Sequence, residues 1–306
     1  MTEYFNFLGL PIVVQDLIAA EIVHNSIPED WIQFALTCKV FNELVKHAKP
    51  KKILPSIYIG HCNKDGIILY TLSRVPEVFY RIQDSTTAKM ERWLRNVQIL
   101  ILTLTPSIFS DEFKDHVEFL NVFHEATKFV TTLRIQIPLN SSLSPDYINF
   151  YEKLKHLKRL EFHRPFEDFA KLPKFPSVLY LNVDYRPDDF LVLLEKLAPV
   201  QLSEFHLDQP LNKEECQELF KTLKFKDIAE IYFRFYGSNR QCAVYMKCIG
   251  EDLFEIQCLP YHGTSRTIYD PCRRNKPFGT TTAIIKSEML VDILKKVEDG
   301  RLNFDF

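Results

Sequence analysis

The sequence predicts an α/β chain in four stretches. These are a small helical module at 1–47, a linking or capping segment at 48–96, a strand-and-helix solenoid at 97–236 and a C-terminal cap at 237–306. Three observations predict it. Apolar residues recur every three or four positions through the first 47 residues. The frame apolar-x-x-apolar-x-apolar then returns six times between 97 and 236 with helical stretches between its copies. Beyond 237 that pattern gives way to two strand-like runs, a polar stretch and one amphipathic helix.

In the first stretch, "GLPIVVQDLIAAEIVHN" places Val14, Leu17, Ile18 and Ile22 at helical spacing behind Leu10-Pro11. Proline at the first turn costs nothing there, because its missing N–H has no intrahelical acceptor. Pro28, Glu29 and Asp30 read as a second helix start, with acid at the positive end of the dipole. Trp31, Phe34, Ala35, Cys38, Phe41 and Leu44 continue the spacing. A reactive thiol at Cys38 would need an electropositive, partly exposed setting. Lys39 is only its chain neighbour, and helical neighbours do not face each other. A buried, inert Cys38 is therefore expected. The basic run "KHAKPKK" reads as a solvated linker, with a nuclear signal as the alternative.

In the third stretch the frame begins at Val97, Val130, Leu157, Val178, Leu202 and Ile228, spacings of 33, 27, 21, 24 and 26 residues. Strand plus helix at about 25 residues per unit suits a stacked array in which no unit buries its apolar face alone. The alternative is an ordinary α/β sheet with alternating helices. Helix starts are read at Ser110, at Ser144 with Pro145 behind it, at "RPDDF" and at "NKEEC". The x positions of each strand point away from the core. At the early end these are Ile99, Ile101 and Thr103, apolar enough to expect cover from 53–72. Thr132, Arg134 and Gln136 follow. The later x positions supply the candidate target-binding residues Arg159, Glu161, His163, Tyr180, Asp184, Glu204, His206, Asp208, Glu230, Tyr232 and Arg234. Aromatics among charges are enriched in protein interfaces; a solvated face without a ligand is the alternative. In the tail, strands meet near Gly250-Glu251-Asp252, "YHGTSRTIYDPCRRNKPFG" reads as surface, and "SEMLVDILKKVEDG" as a capped helix.

Composition narrows the function classes. Eight glycines in 306 residues leave no Gly-rich phosphate cradle, and a net charge of −2 gives no reason to expect nucleic acid. No signal peptide and no membrane span of about 18 apolar residues is read, so the seven cysteines are expected reduced, in cytosol or nucleus. On that ground the sequon at Asn140 is discounted. Cys242, Cys248, Cys258, His262 and Cys272 lack the close C-x-x-C pairs of a zinc site, so no metal or cofactor is expected. Asp188-Asp189 and Glu214-Glu215 sit at helix starts, where the dipole accounts for them. No hydrolase, nucleotide-binding or metalloprotease motif occurs, and no catalytic residue is expected.

Leu10-Pro11, the helical apolar residues, Asp30-Trp31 and then Ala35, Leu36, Cys38, Lys39, Phe41 and Leu44 together resemble an F-box. Two features depart from that family. Ile12 and Val13 stand where it usually carries an acid, and the stretch from Pro11 to Cys38 is longer by about one helical turn. Residues 97–236 resemble an irregular leucine-rich-repeat solenoid. Thr105, Pro138, Pro165, Arg186, Pro210 and Tyr236 replace that family's usual Asn or Cys after the strand. The combination implies a substrate receptor of an SCF-type ubiquitin ligase and no covalent chemistry of its own. The resemblance implies docking on a Skp-type adaptor, and through it a cullin, by Leu10, Pro11, Leu17, Ile18, Trp31, Cys38, Lys39, Phe41 and Leu44. The repeats would hold an unknown target protein. A repeat scaffold whose first helices only cap the stack is the alternative, and an enzyme on an α/β sheet is a second.

Overall fold

The structure, a computed structural model, describes residues 5–62, 66–71, 79–80, 87–109, 117–138, 141–163, 165–184, 186–236, 241–250, 253–260, 281–286, 289 and 292–293. It is a mixed α/β fold whose described strands close no barrel. Two compact units divide the chain: residues 1–103, 110–131 and 153–156 form the first, and the remainder the second. The first unit therefore reaches well past the 1–47 module read from the sequence.

The first unit opens with α1 (Ile12–Asn25), α2 (Pro28–Thr37) and α3 (Lys39–His47). Its entry is pinned by Gln15, whose buried amide donates to the carbonyls of Leu8 (3.3 Å) and Leu10 (2.8 Å). Ile27 is extended (φ −64°, ψ 151°), as a residue before proline prefers, so α1 and α2 are separate. The second break overturns an expectation: Cys38 is also extended (φ −160°, ψ 167°) and caps α3 instead of continuing the helical stripe. Lys49 takes the left-handed conformation (φ 54°) just beyond α3, and Pro50 follows, which ends the helix.

Next come β1 (Lys52–Leu54), β2 (Ile57–Cys62), β3 (Gly66–Thr71), β4 (Phe79–Tyr80), α4 (Thr87–Leu94), β5 (Val97–Ile99), β6 (Ile101–Leu104) and α5 (Val117–Thr127). β1 pairs in parallel with β5, and β2 lies beside β6 and antiparallel to β3. The segment expected to lie over the early strands thus extends them edge to edge. The Ser110 cap falls outside the described residues.

The second unit holds β7 (Thr132–Gln136), α6 (Pro145–Lys153), β8 (Arg159–His163), α7 (Phe166–Phe169), β9 (Val178–Asn182), α8 (Pro187–Leu197), β10 (Gln201–Leu211), α9 (Lys213–Thr222), β11 (Lys224–Tyr236), β12 (Gln241–Gly250), β13 (Leu253–Pro260) and β14 (Thr281–Lys286). β7 to β11 are parallel neighbours in chain order; β12 to β14 continue antiparallel. The helix starts have local causes. Ser144 Oγ accepts the N–H of Tyr147 (3.2 Å), and Asn212 and Glu215 form a reciprocal capping box at 2.8 Å in each direction. Among the terminal helix residues read from the sequence, only Met289, Asp292 and Ile293 are described.

Burial shows how the second unit's sheet is clothed. Leu133, Ile135, Leu160, Phe162, Leu179, Phe205, Leu207, Ile231 and Phe233 are fully buried. Helix residues meet this side: Phe169 lies 5.4 Å ring to ring from Phe162, and Phe220 lies 6.1 Å from Phe233. The alternate residues of the same strands are only half-buried. Parallel sheets almost always have both faces covered; from β7 to β11 the described helix residues in ring contact with the sheet meet one face, and the alternate residues stay partly exposed.

Frame residues depart from expectation in two strands: in β9, Val178 is half-buried in the outward row, level with Arg159 and Glu204, and in β11 the departure is larger. Ile228 is 75% exposed. Between the pairs Leu202↔Phe225 and Glu204↔Glu230 the register of β11 runs ahead of β10, and Lys226, Asp227 and Ile228 stand out as a bulge.

Candidate interaction surfaces

In α1 the usual placement of side chains is inverted. The face of α1 turned inward carries Gln15, Ala19 and Val23, four residues apart and small or polar. Its large apolar residues point out: Ile12 is 69% exposed, Val13 65% and Leu17 66%. Leu8, Leu36 and Val40 are exposed in the same module. A helix that is apolar all round is normally buried, and α1 is so on one face only.

The residues named from the sequence are distributed over this module. Pro11, Leu17 and Lys39 are exposed, and Leu10, Ile18, Trp31, Cys38 and Phe41 are half-buried. Phe41 stacks on Phe34 at 4.4 Å, with Phe7 edge-on to both. The ring thus has a packing role inside the module. Cys38 is half-buried, not sealed as expected. Leu44 is a correction: at 5% exposure it belongs to the core, because it lies on the inward face of α3 beside Val45. Sequence reading missed Leu8, Ile12, Val13, Leu36 and Val40. The available signal was the apolar composition of α1 on every face, which helical spacing alone does not resolve.

The second surface is the open side of the second unit's sheet. Strand register aligns Arg134, Glu161, Tyr180, His206, Tyr232, Tyr245 and Gln257 in one row across β7 to β13. A neighbouring row runs Arg159, Val178, Glu204, Glu230, Lys247 and Glu255. Charges at the β7–β9 end pair with one another. Arg134 lies 2.7 Å and Arg159 3.1 Å from Glu161, and the Arg159 guanidinium sits 3.9 Å above the Tyr180 ring. His206 stacks on Tyr180 at 3.9 Å and lies 5.4 Å from Tyr232. Arg234 binds Asp208 (Nε to Oδ1, 2.8 Å), and Gln209 donates to Asp184 (3.3 Å).

The two rows bring together seven of the eleven target-face residues named from sequence: Arg159, Glu161, Tyr180, Glu204, His206, Glu230 and Tyr232. They add Arg134 on β7, and Tyr245, Lys247, Glu255 and Gln257 on β12 and β13, two strands that lie in the stretch expected to be a cap. Burial raises the Glu204 carboxyl, but His206, the Tyr180 hydroxyl and Arg159 outweigh it and leave the group below its ordinary value. Burial, opposed by Glu161 and Asp208, lowers His163.

Burial, and then the hydrogen bond to Glu204, hold the Tyr180 phenol protonated well above its ordinary value of 10. Burial and Glu230 do the same to Tyr245. A phenol raised in the folded state stabilises the fold fully below the unfolded value, and that contribution is lost as pH rises above it. Urea midpoints are expected to fall between about pH 9 and about pH 11, because the unfolded chain releases protons that the folded one keeps. Tyr180→Phe should make that fall shallower; an unchanged slope would refute the assignment.

Asp168 is 2% exposed and is the other concentrated polar feature. One of its oxygens accepts from Ser142 (2.7 Å), the Leu143 N–H (3.0 Å) and Lys171 (2.6 Å). Lys171 also bonds Ser142. These bonds make the trio a clamp from the loop before α6 to α7. Asp168→Ala is expected to cost about 1–3 kcal/mol through the stranded donors, read as a shift of the urea midpoint. A midpoint that does not move removes the clamp from the account.

Among the described residues no group of three or more His, Cys, Asp or Glu is placed to hold a metal ion. None of the described helices is long and apolar enough to cross a membrane. The His262 and Cys272 positions lie outside the described residues. The fold and its two surfaces thus define a mixed α/β protein with a helical N-terminal module. Comparison with protein-family models, with curated proteins and with solved structures gives no match.

Proposed function

We propose that the chain is the substrate-recognition subunit of an SCF-type ubiquitin ligase. Its N-terminal helices dock a Skp-type adaptor, and the open sheet face receives a target protein. One observation carries this reading: α1 turns its small residues in and Ile12, Val13 and Leu17 out. A patch of that kind marks an interaction site; it includes Leu17, named for adaptor docking, together with Ile12 and Val13, where the chain departs from the F-box pattern. A leucine-rich-repeat reading of the later strands is supported by their parallel chain order and by the partly exposed alternate residues of one face. The receptor's contribution would be proximity, holding a target lysine near the charged conjugating enzyme.

The test is co-expression of the chain with a Skp-type adaptor followed by size-exclusion chromatography. Co-elution as a stoichiometric complex is expected. A chain that elutes alone while the adaptor binds a known F-box control leaves the scaffold reading in its place.

A further inference from the structure

We propose that the β10–β13 part of the open face binds a basic segment of the target protein. This rests on the reading of that face as a target surface and adds the chemistry of what it takes. Between β10 and β13 the outward acids are Glu204, Asp208, Glu230 and Glu255, and the outward bases are Arg234 and Lys247. Asp208 is satisfied by Arg234, and Glu204 by Tyr180 and His206. Glu230, which accepts from the Tyr245 hydroxyl, and Glu255 remain without a base, standing on either side of Lys247 in the same row. Among the described residues neither has a cation within ion-pair distance.

Beside these acids lie Tyr232 and Tyr245, paired across β11 and β12. The stack from Tyr180 through His206 holds Tyr232 in place, so little side-chain freedom is left to lose on binding. Aromatic faces flanked by carboxylates that no cation pairs among the described residues suit arginine and lysine, which combine a cation–π contact with a charged hydrogen bond. The shape favours a polypeptide. Strands lie about 4.8 Å apart, so β10 to β13 spans about 14 Å, the reach of about four extended residues. The excess of acid disfavours nucleic acid.

The probes are two fluorescein-labelled peptides of equal length, one with arginine and lysine spaced by glycine and serine, the other with glutamate in their place. Binding to the full chain is read by fluorescence anisotropy at low and high salt. The basic peptide should bind, more weakly at high salt, and the acidic one should not. Glu230→Lys with Glu255→Lys should weaken binding about tenfold or more. Glu152→Lys with Glu195→Lys makes the same change in net charge on exposed helix positions, and should leave the affinity within about twofold. Equal losses in both variants, or a wild type that does not distinguish the peptides, would overturn the proposal. Circular dichroism melts of both variants check folding. Adaptor co-elution of the Glu230→Lys/Glu255→Lys chain keeps the two readings apart: if the peptide effects hold while wild type takes no adaptor, the ligase role fails and the basic-segment site stands.

Discussion

Substituting Ile12→Asp and Leu17→Asp together is expected to weaken adaptor binding about 100-fold or more while leaving the melting temperature nearly unchanged. Both side chains are about two-thirds exposed in the free chain, at 69% and 66%. A charge there costs the isolated fold little, since substitutions at such sites usually fall within about 0.5 kcal/mol. In a complex of standard size, about 1,600 Å² in total, the same two charges would lie desolvated against apolar surface. A few central residues carry most of such an interface. Biolayer interferometry against purified adaptor reads the effect. A variant that binds within about threefold of wild type would place the docking surface elsewhere. Leu44→Asp is the contrasting substitution: Leu44 is a core residue, and its loss of binding should come with loss of fold.

Phe169→Ala carries the largest expected effect on stability, about 3–5 kcal/mol. Phe169 is fully buried on α7, with Phe162 at 5.4 Å, Phe166 at 6.3 Å and Phe175 at 4.7 Å between ring centroids. Three rings around one cavity cannot all move in to fill it, because they sit on β8, on α7 itself and on the segment that leads to β9. Truncation therefore leaves a void as well as losing buried area. Since native stability is typically 5–15 kcal/mol, the variant should unfold at much lower urea. Leu191→Ala on the exposed side of α8 should shift the midpoint by less than about 0.5 kcal/mol. Equal midpoints for the two variants would mean that the helices are not clamped to the sheet through this cluster.

Much of this was written in the chain. The frame Leu157/Leu160/Phe162 and its copies located the strands, since a strand buried on one face shows its period directly. The alternate residues named the open face for the same reason, and His206 and Tyr232 fall in one row as the shared frame implies; in β9 the frame would put Asn182 in that row, and the register puts Tyr180 there. What was not legible has identifiable causes. Ile228 fits the frame but stands on a bulge, and register shifts leave no mark in local composition. Tyr245, Lys247 and Glu255 lie in the stretch expected to be a cap, because an antiparallel hairpin does not carry the repeat that marks β7–β11. In the N-terminal module, spacing located the helical stretches but neither the break at Cys38 nor their facing. α1 is apolar on nearly every side, so the period does not tell inside from outside, and the core choice of Gln15, Ala19 and Val23 emerges only with α3 packed against it. Cys38 kept the stripe's spacing while breaking its helix, and Leu44 looked like the next docking residue when it was the first core one.

The central claim is that a second polypeptide covers the outward residues of α1. Hydrogen–deuterium exchange of the chain with and without a Skp-type adaptor tests it most directly. Peptides spanning 8–25 and 36–44 should exchange more slowly in the complex, with those from β10 to β13 unaffected. Unchanged exchange over α1 at saturating adaptor would contradict it.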